Sequence, residues 1–200
     1  LPFLAKAQIE EQSRSMSLGT HSALVLELPQ NDQKMVGKVW EGYMKSFYDT
    51  KSKYNRKTGE WVAEQADIVS LAKGDDIDLF TTIEQRGKNV ELALWVHLQK
   101  EDTYLSADRH PDRVVEAEKL LMRFGLEVAR ESIKLELKEE EKKLKGVNRS
   151  LADLKEKAKA IEAKWQAEKE VINSIKELKK SIEEARFQIE REQAAGNLQK

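Results

Sequence analysis

Three histidines and a cluster of three aspartates are the side chains whose types suit acid–base chemistry or metal binding. The histidines are His21, His97 and His110, and no two of them have the spacing of metal ligands. His97 lies in an alternating, strand-like segment, which predicts a structural or surface histidine. His110 directly precedes Pro111, which favours a role at the start of a helix.

Asp75, Asp76 and Asp78 follow Gly74 and could bind a cation. The segment lacks the further ligands and the terminal glutamate of an EF-hand, so a solvated turn is the favoured interpretation. The chain contains no GxxxxGK[ST] phosphate loop, no GxSxG nucleophile elbow and no cysteine. We therefore predict no catalytic, metal-binding or cofactor-binding residues and no cofactor, and we expect that the protein is not an enzyme.

An aromatic group is the other candidate for a ligand site, but its helical spacing favours core packing. Its members are Trp40, Tyr43, Phe47, Tyr48 and Trp61. A small-ligand or enzymatic head domain that uses these rings and the aspartates is the third hypothesis for function.

The charge distribution is uneven along the chain. Residues 131–200 contain 15 acidic and 17 basic residues, which is typical of a solvated helix with interspersed opposite charges. The formal net charge of −1 gives no electrostatic reason to expect nucleic acid or an anionic membrane as partner. No apolar run approaches the roughly 20 residues that span a bilayer, so we expect no membrane span.

The first 130 residues predict a small head domain. Residues 23–28 alternate as a strand, and Asn31 or Asp32 is placed to cap a helix over 32–48. A short strand at 61–63 precedes a hairpin with strands near 77–83 and 90–98, and a helix begins near Pro111. The prediction is an α+β fold: a two-layer α/β sandwich with the order β-α-β-β-β-β-α and a long C-terminal coiled-coil helix or helical hairpin.

The tail carries apolar residues at alternating spacings of three and four, which is the pattern of a coiled coil. We call this line the seam; it consists of Leu144, Val147, Leu151, Leu154, Ala158, Ile161, Trp165 and Ile172, with Glu168 as its single charged member. Because the phase continues across Gly146–Ser150, we favour a continuous helix there. At Ser174, an extra step of three and a capping-box pattern with Glu177 favour a helix turn.

The seam requires a covering surface on energetic grounds. Ion pairs along a helix contribute only about 0.2–0.5 kcal/mol each, whereas burial of a large seam residue contributes about 1.5–3 kcal/mol. We therefore expect a protein partner, either through self-association or through another helix. The predicted partner-binding residues from this pattern are Leu151, Leu154, Ile161, Trp165 and Ile172.

Three motifs occur in the tail, in chain order: LADLKEK at residues 151–157, WQAEKEVI at 165–172 and Gly196-Asn197-Leu198. Over residues 149–200 the chain resembles the coiled-coil middle domain of bacterial ClpB disaggregase chaperones. That resemblance implies a regulatory lever and a possible chaperone partner such as DnaK, and it adds Glu168 and Lys169 to the predicted partner-binding residues. The nucleotide-binding motifs of that family are missing from this sequence.

The N-terminus bears on localisation. Residues 1–8 join an apolar stretch to Ala5-Lys6-Ala7, which resembles the end of a signal peptide; an ordinary apolar N-terminus is the alternative. Residues 8–145 also resemble uncharacterised exported bacterial proteins with an α/β head and a helical tail. We expect a periplasmic or secreted protein, with a cytoplasmic one as the alternative, and a division into residues 1–8, a head at 9–130 and a coiled-coil tail at 131–200.

Two hypotheses for function follow. The first is a non-enzymatic interaction or structural protein whose seam serves oligomerisation or partner binding. The second is a chaperone-associated regulatory module in a protein-disaggregation system.

Overall fold

The computed structural model describes residues 9–197, so the signal-peptide prediction for residues 1–8 lies outside the described part of the chain. The fold is α+β, as the sequence predicts. The elements in chain order are β1 (Ile9–Met16), β2 (Gly19–Leu28), α1 (Gln33–Tyr48), β3 (Lys53–Asn55), β4 (Glu60–Ala66), α2 (Val69–Ala72), β5 (Ile77–Arg86), β6 (Asn89–Leu98), β7 (Thr103–Tyr104) and α3 (Pro111–Asn197).

The strands form one antiparallel sheet in the order β1-β2-β6-β5-β4-β3, with β7 also paired to β6. The predicted hairpin is confirmed: β5 and β6 pair from Ile77 opposite Leu98 to Arg86 opposite Asn89. Only Gly87 and Lys88 remain for the turn, and Gly87 has the positive φ of 64° that such a two-residue turn requires. Strands β1 and β7 and helix α2 add to the predicted order.

Helices α1 and α3 pack on one face of the sheet and form the main core with its alternate residues. Asp32 caps α1, because its carboxylate accepts a hydrogen bond of 3.0 Å from the amide of Met35. Phe124 of α3 meets Trp40 edge to face with ring centroids 5.0 Å apart. The Tyr43 hydroxyl donates to the carbonyl of Leu120 at 2.9 Å, which joins the two helices.

The other face of the sheet has its own small apolar cluster around Trp95 and Phe80. The sheet curls over this cluster. Ser17, between β1 and β2, donates from its amide and its hydroxyl to the carboxylate of Glu60 at 2.7 and 2.6 Å. Glu60 starts β4, three strands away from β2 in the sheet order, so these bonds require strong curvature. The curl buries Trp95 almost completely.

Helix α3 runs without interruption from Pro111 to Asn197. Continuity at Gly146–Ser150 agrees with the favoured interpretation, but the helix turn predicted at Ser174 is wrong. Instead of capping a new helix, the Ser174 hydroxyl donates to the carbonyl of Glu170 at 3.0 Å, one turn earlier. This bond satisfies the serine inside a helix, so the capping-box pattern alone does not end one. Within residues 9–197, no helix has a long enough apolar stretch to cross a membrane.

The chain divides into two compact units, Leu1–Leu137 and Lys138–Lys200. The first unit contains the sheet, α1, α2 and the beginning of α3. The second unit contains the remainder of α3 and the seam.

Candidate functional site

The predicted partner-binding residues lie along helix α3 in the second unit, and the structure exposes all of them. The five apolar members, Leu151, Leu154, Ile161, Trp165 and Ile172, are between 48% and 70% exposed. Exposed apolar side chains scattered singly over a surface are normal, whereas a continuous line of them marks an interaction surface. The seam is therefore a continuous line of exposed apolar side chains.

Trp165 is the bulkiest residue of the seam and carries its own charged neighbour. The ammonium of Lys169 lies 4.9 Å from the centroid of the Trp165 ring, which is the geometry of a cation–π contact. Nζ of Lys164 lies 4.0 Å from Oε1 of Glu168, the charged member of the seam. The residues that the ClpB resemblance singles out, Trp165, Glu168 and Lys169, thus form one local group near the C-terminal end of the seam.

Lysines border the seam on both sides, which the sequence interpretation missed. In heptad lettering the seam, continued here by one step to Ile175, occupies positions a (144, 151, 158, 165, 172) and d (147, 154, 161, 168, 175), and positions e and g lie beside it. The charged residues at those bordering positions are six lysines and one glutamate: Lys143, Lys155, Lys157, Lys164, Lys169, Lys176 and Glu162. Assigning each charge to its heptad position, rather than counting charges over the segment, is the signal that reveals them.

The head contains a second candidate, an open cavity of about 750 Å³ on the curled face of the sheet. Its histidines are His21, which stacks on Tyr104 at 3.7 Å between ring centroids, and His97. His97 lies between two carboxylates, with Nδ1 3.6 Å from Asp78 and Nε2 3.3 Å from Asp102. Burial, with smaller effects of the nearby carboxylates, raises the pKa of the Tyr104 hydroxyl.

These cavity residues are held mainly by one another and by the backbone. The Asp78 carboxylate accepts from the amide of Gln65 and the side chain of Gln99, both at 2.9 Å. Across residues 9–197, no three His, Asp or Glu side chains gather in a way that suits a metal ion. The cavity offers hydrogen-bonding groups to a small polar molecule, but Asp78, His97 and Arg109 already have partners.

The aspartate cluster is more structural than the predicted solvated turn. Asp75 is buried and accepts a hydrogen bond of 3.2 Å from the amide of Lys100, Asp78 is partly buried, and Asp76 is exposed. Solvation is therefore the wrong description of Asp75, because its carboxylate joins two loops. His110 occupies the predicted helix-entry position, where its carbonyl accepts from the amides of Arg113 and Val114 at 3.0 Å.

The aromatic group is mostly core, as predicted. Trp40, Tyr43 and Trp61 are buried in the main core and Tyr48 is partly buried against it, whereas Phe47 is exposed. Trp61 is further fixed by donating to the carboxylate of Glu41 at 3.1 Å.

Comparison with known proteins finds similarity to ClpB chaperones over part of the chain. The chaperone protein ClpB of Porphyromonas gingivalis is 44% identical over 72 residues, which cover 36% of this chain and 8% of that protein. The ClpB of Brucella melitensis is 33% identical over 97 residues, 48% of this chain and 11% of the relative. The ClpB of Bacteroides thetaiotaomicron is 39% identical over 72 residues, 36% of this chain and 8% of the relative.

The chain thus spans about a tenth of the length of these curated relatives. No family model matches it, and no solved structure matches it. The comparisons therefore establish a local similarity to ClpB chaperones over a third to a half of this chain.

Proposed function

We propose that this chain is a non-enzymatic interaction protein, in which an α/β head carries a long helix whose seam binds a protein. The observation that carries the proposal is the exposure of Leu151, Leu154, Ile161, Trp165 and Ile172 along one coiled-coil line. Each of these side chains gains about 1.5–3 kcal/mol when it is fully buried, so covering several of them supplies the free energy of a specific complex.

The spacing of the seam indicates what kind of surface covers it. Alternating steps of three and four match the knobs-into-holes packing of another helix. The charged residues away from the seam keep the opposite side of the helix solvated, and pairs such as Lys180 and Glu184, 3.8 Å apart, add little stability because they are exposed. The seam is therefore an apolar surface whose burial dominates over ion pairing, and the exposed Ile182 and Ile189 continue the apolar surface of the helix beyond it.

Site-specific photo-crosslinking in cells tests this proposal. A photoreactive amino acid is placed at Leu154 on the seam, and in a matched variant at Glu156, which lies two residues away outside it. We expect a discrete crosslinked product from position 154 and much less from position 156. Equal products from both positions, or none from either, would contradict the proposal.

A second candidate function is a regulatory module of a protein-disaggregation system, related to the ClpB middle domain. The local similarity to ClpB chaperones supports it. In this function the group of Trp165, Glu168 and Lys169 contacts a disaggregase or its partner chaperone.

Purified ClpB provides the test of the second function. Addition of this chain is expected to change the rate of ATP hydrolysis by ClpB, and Ile161→Asp is expected to abolish the effect. Ala163→Asp, which puts the same charge outside the seam, serves as the control. A rate that does not respond to the chain would remove this candidate and leave the first one standing.

A further inference from the structure

The lysines beside the seam restrict which helix can cover it. In a coiled coil, residues at e and g of one helix face those of its partner and set partner choice. Here the acidic residues Asp153, Glu156 and Glu170 fall at positions c and f, away from the seam, and only Glu162 is at a bordering position. The tail is therefore nearly neutral in total charge, but the face that contains the seam is basic.

The structure leaves most of these lysines available to a partner. Within residues 9–197, no carboxylate pairs with Lys155, Lys157 or Lys176, and all three are exposed. Lys164 lies only at the limit of an ion pair with Glu168, at 4.0 Å. Exposed pairs of this kind contribute little, so they do not compete with a partner's carboxylates.

We propose that the seam binds a helix whose own e and g positions are acidic, and that it rejects a second copy of this chain. This inference rests on the proposed function and specifies its partner. The partner is recognised by apolar residues at a and d and by glutamates or aspartates beside them.

A second copy is disfavoured in both orientations. In a parallel pair in register, Lys157 faces Glu162 of the other copy, but Lys164 faces Lys169, and Glu168 faces Glu168 at the buried position d. In an antiparallel pair, e faces e and g faces g, so lysines meet lysines along both sides of the seam. Like charges directly opposite one another at an interface oppose association.

An anionic membrane is the other surface that a basic, amphipathic helix fits, but the period of the seam argues against it. A repeat of 3.5 residues drifts by about 20° per heptad on a straight helix. Between Leu144 and Ile175 the seam spans more than four heptads, so it turns through roughly 80–90° around the helix. A helical partner follows that path by supercoiling, whereas a flat bilayer cannot.

Two synthetic peptides of about 35 residues, five heptads, are the probes. Both carry isoleucine at a and leucine at d, and they differ only at e and g, which are all glutamate in one and all lysine in the other. Trp165 is exposed, whereas Trp40, Trp61 and Trp95 are buried, so acrylamide quenching of the full chain reports chiefly on Trp165. Binding is measured as protection of this fluorescence and as anisotropy of the labelled peptide.

We expect the glutamate peptide to bind about tenfold or more tightly than the lysine peptide, because several individually weak pairs add. The preference should shrink when NaCl is raised from about 0.05 to about 0.5 M, since exposed pairs are screened by salt. Sedimentation of the full chain alone should show no concentration-dependent dimer.

A pair of charge-matched variants isolates the bordering positions. Lys155→Glu, Lys157→Glu and Lys164→Glu together should abolish the preference for the glutamate peptide, because three lysines and four glutamates then stand at the bordering positions. Lys145→Glu, Arg149→Glu and Lys159→Glu make the same change in net charge at positions b and f, and they should leave the preference as it is. Both variants retain Trp165 as the reporter.

The outcomes separate this inference from the proposed function. Equal binding of both peptides, a stable dimer of the chain, or binding to vesicles containing about 30% phosphatidylserine in preference to the glutamate peptide would overturn the inference and leave the seam as a binding face. If neither peptide binds, no dimer forms and the photoreactive residue at Leu154 gives no crosslinked product in cells, the proposed function fails as well.

Discussion

Gly37 lies where helix α1 comes closest to the indole ring of Trp61. A Cβ atom at this position would meet Cζ2 of Trp61 at 2.7 Å, a distance that real Cβ atoms essentially never show. Gly42, five residues later in the same helix, has open space around it. The two glycines lie in the same helix but differ in packing, so Gly42 serves as the control for a substitution at Gly37.

Gly37→Ala is expected to lower the free energy of unfolding by about 1–3 kcal/mol, because the added methyl group forces Trp61 to move. Gly42→Ala should raise it by about 0.5–1 kcal/mol, because alanine is the better helix former. Urea unfolding followed by tryptophan fluorescence measures both. Equal effects of the two substitutions would contradict the close packing of α1 against the Trp61 ring at Gly37.

Tyr43 links stability to alkaline pH. Burial, and then the neighbouring Tyr48 hydroxyl, raise the pKa of the Tyr43 phenol far above its ordinary value. Because the folded state holds this proton more tightly, the stabilisation is complete below the unfolded pKa of about 10 and is lost as pH rises beyond it. The free energy of unfolding of the native chain should therefore fall more steeply above pH 10 than that of Tyr43→Phe, as measured by urea unfolding; identical slopes would contradict the assignment.

The sequence predicts residue roles well where one local pattern decides them. Asp32 caps α1 and His110 enters α3 because capping depends on neighbours in sequence. The role of Asp75 cannot be predicted from local sequence, because its partner is the amide of Lys100, 25 residues away. The lysines beside the seam are local as well, but they become visible only after each residue is assigned a heptad position.

The elements that sequence reasoning missed are those with little apolar content. Strand β1 lies at the edge of the sheet, pairs only with β2, and is mostly exposed or half-buried. Edge strands are commonly polar, since a charged edge prevents pairing with other chains. The apolar alternation that marks β2, β5 and β6 is therefore weak in β1, and no sequence pattern specifies the curl that joins Ser17 to Glu60.

The continuity of α3 at Ser174 gives a sharp test between two local interpretations. If Ser174 were a cap, Ser174→Ala would cost about 0.5–2 kcal/mol of helix stability. In the continuous helix, alanine is the better residue, so the substitution should be neutral or slightly stabilising. Thermal melting of the full chain, followed by circular dichroism at 222 nm, distinguishes the two. A clear loss of helical stability would restore the turn near residue 174.

The molecule combines a head with a core of its own and a helical segment that has none. All buried members of the main core fall between Leu24 and Val128, within the first compact unit. A chain ended after Leu137 should therefore unfold in urea at the same midpoint as the full chain when buried tryptophans are followed. A shift of the midpoint to much lower urea would show that the head depends on the second unit.

The second unit defines the function that we propose, since its apolar line is exposed in the isolated chain. The absence of cysteine from the sequence allows single-cysteine variants to be placed at successive positions from 150 to 172. Their maleimide reactivity is compared between living cells and the purified protein.

In cells, the account predicts slow labelling at seam positions such as Leu154 and Ile161 and fast labelling at Asp153 and Glu156, with a period near 3.5 residues. In the purified protein all positions should react quickly. Labelling in cells that is uniformly fast along the helix would contradict the claim that the seam binds a protein.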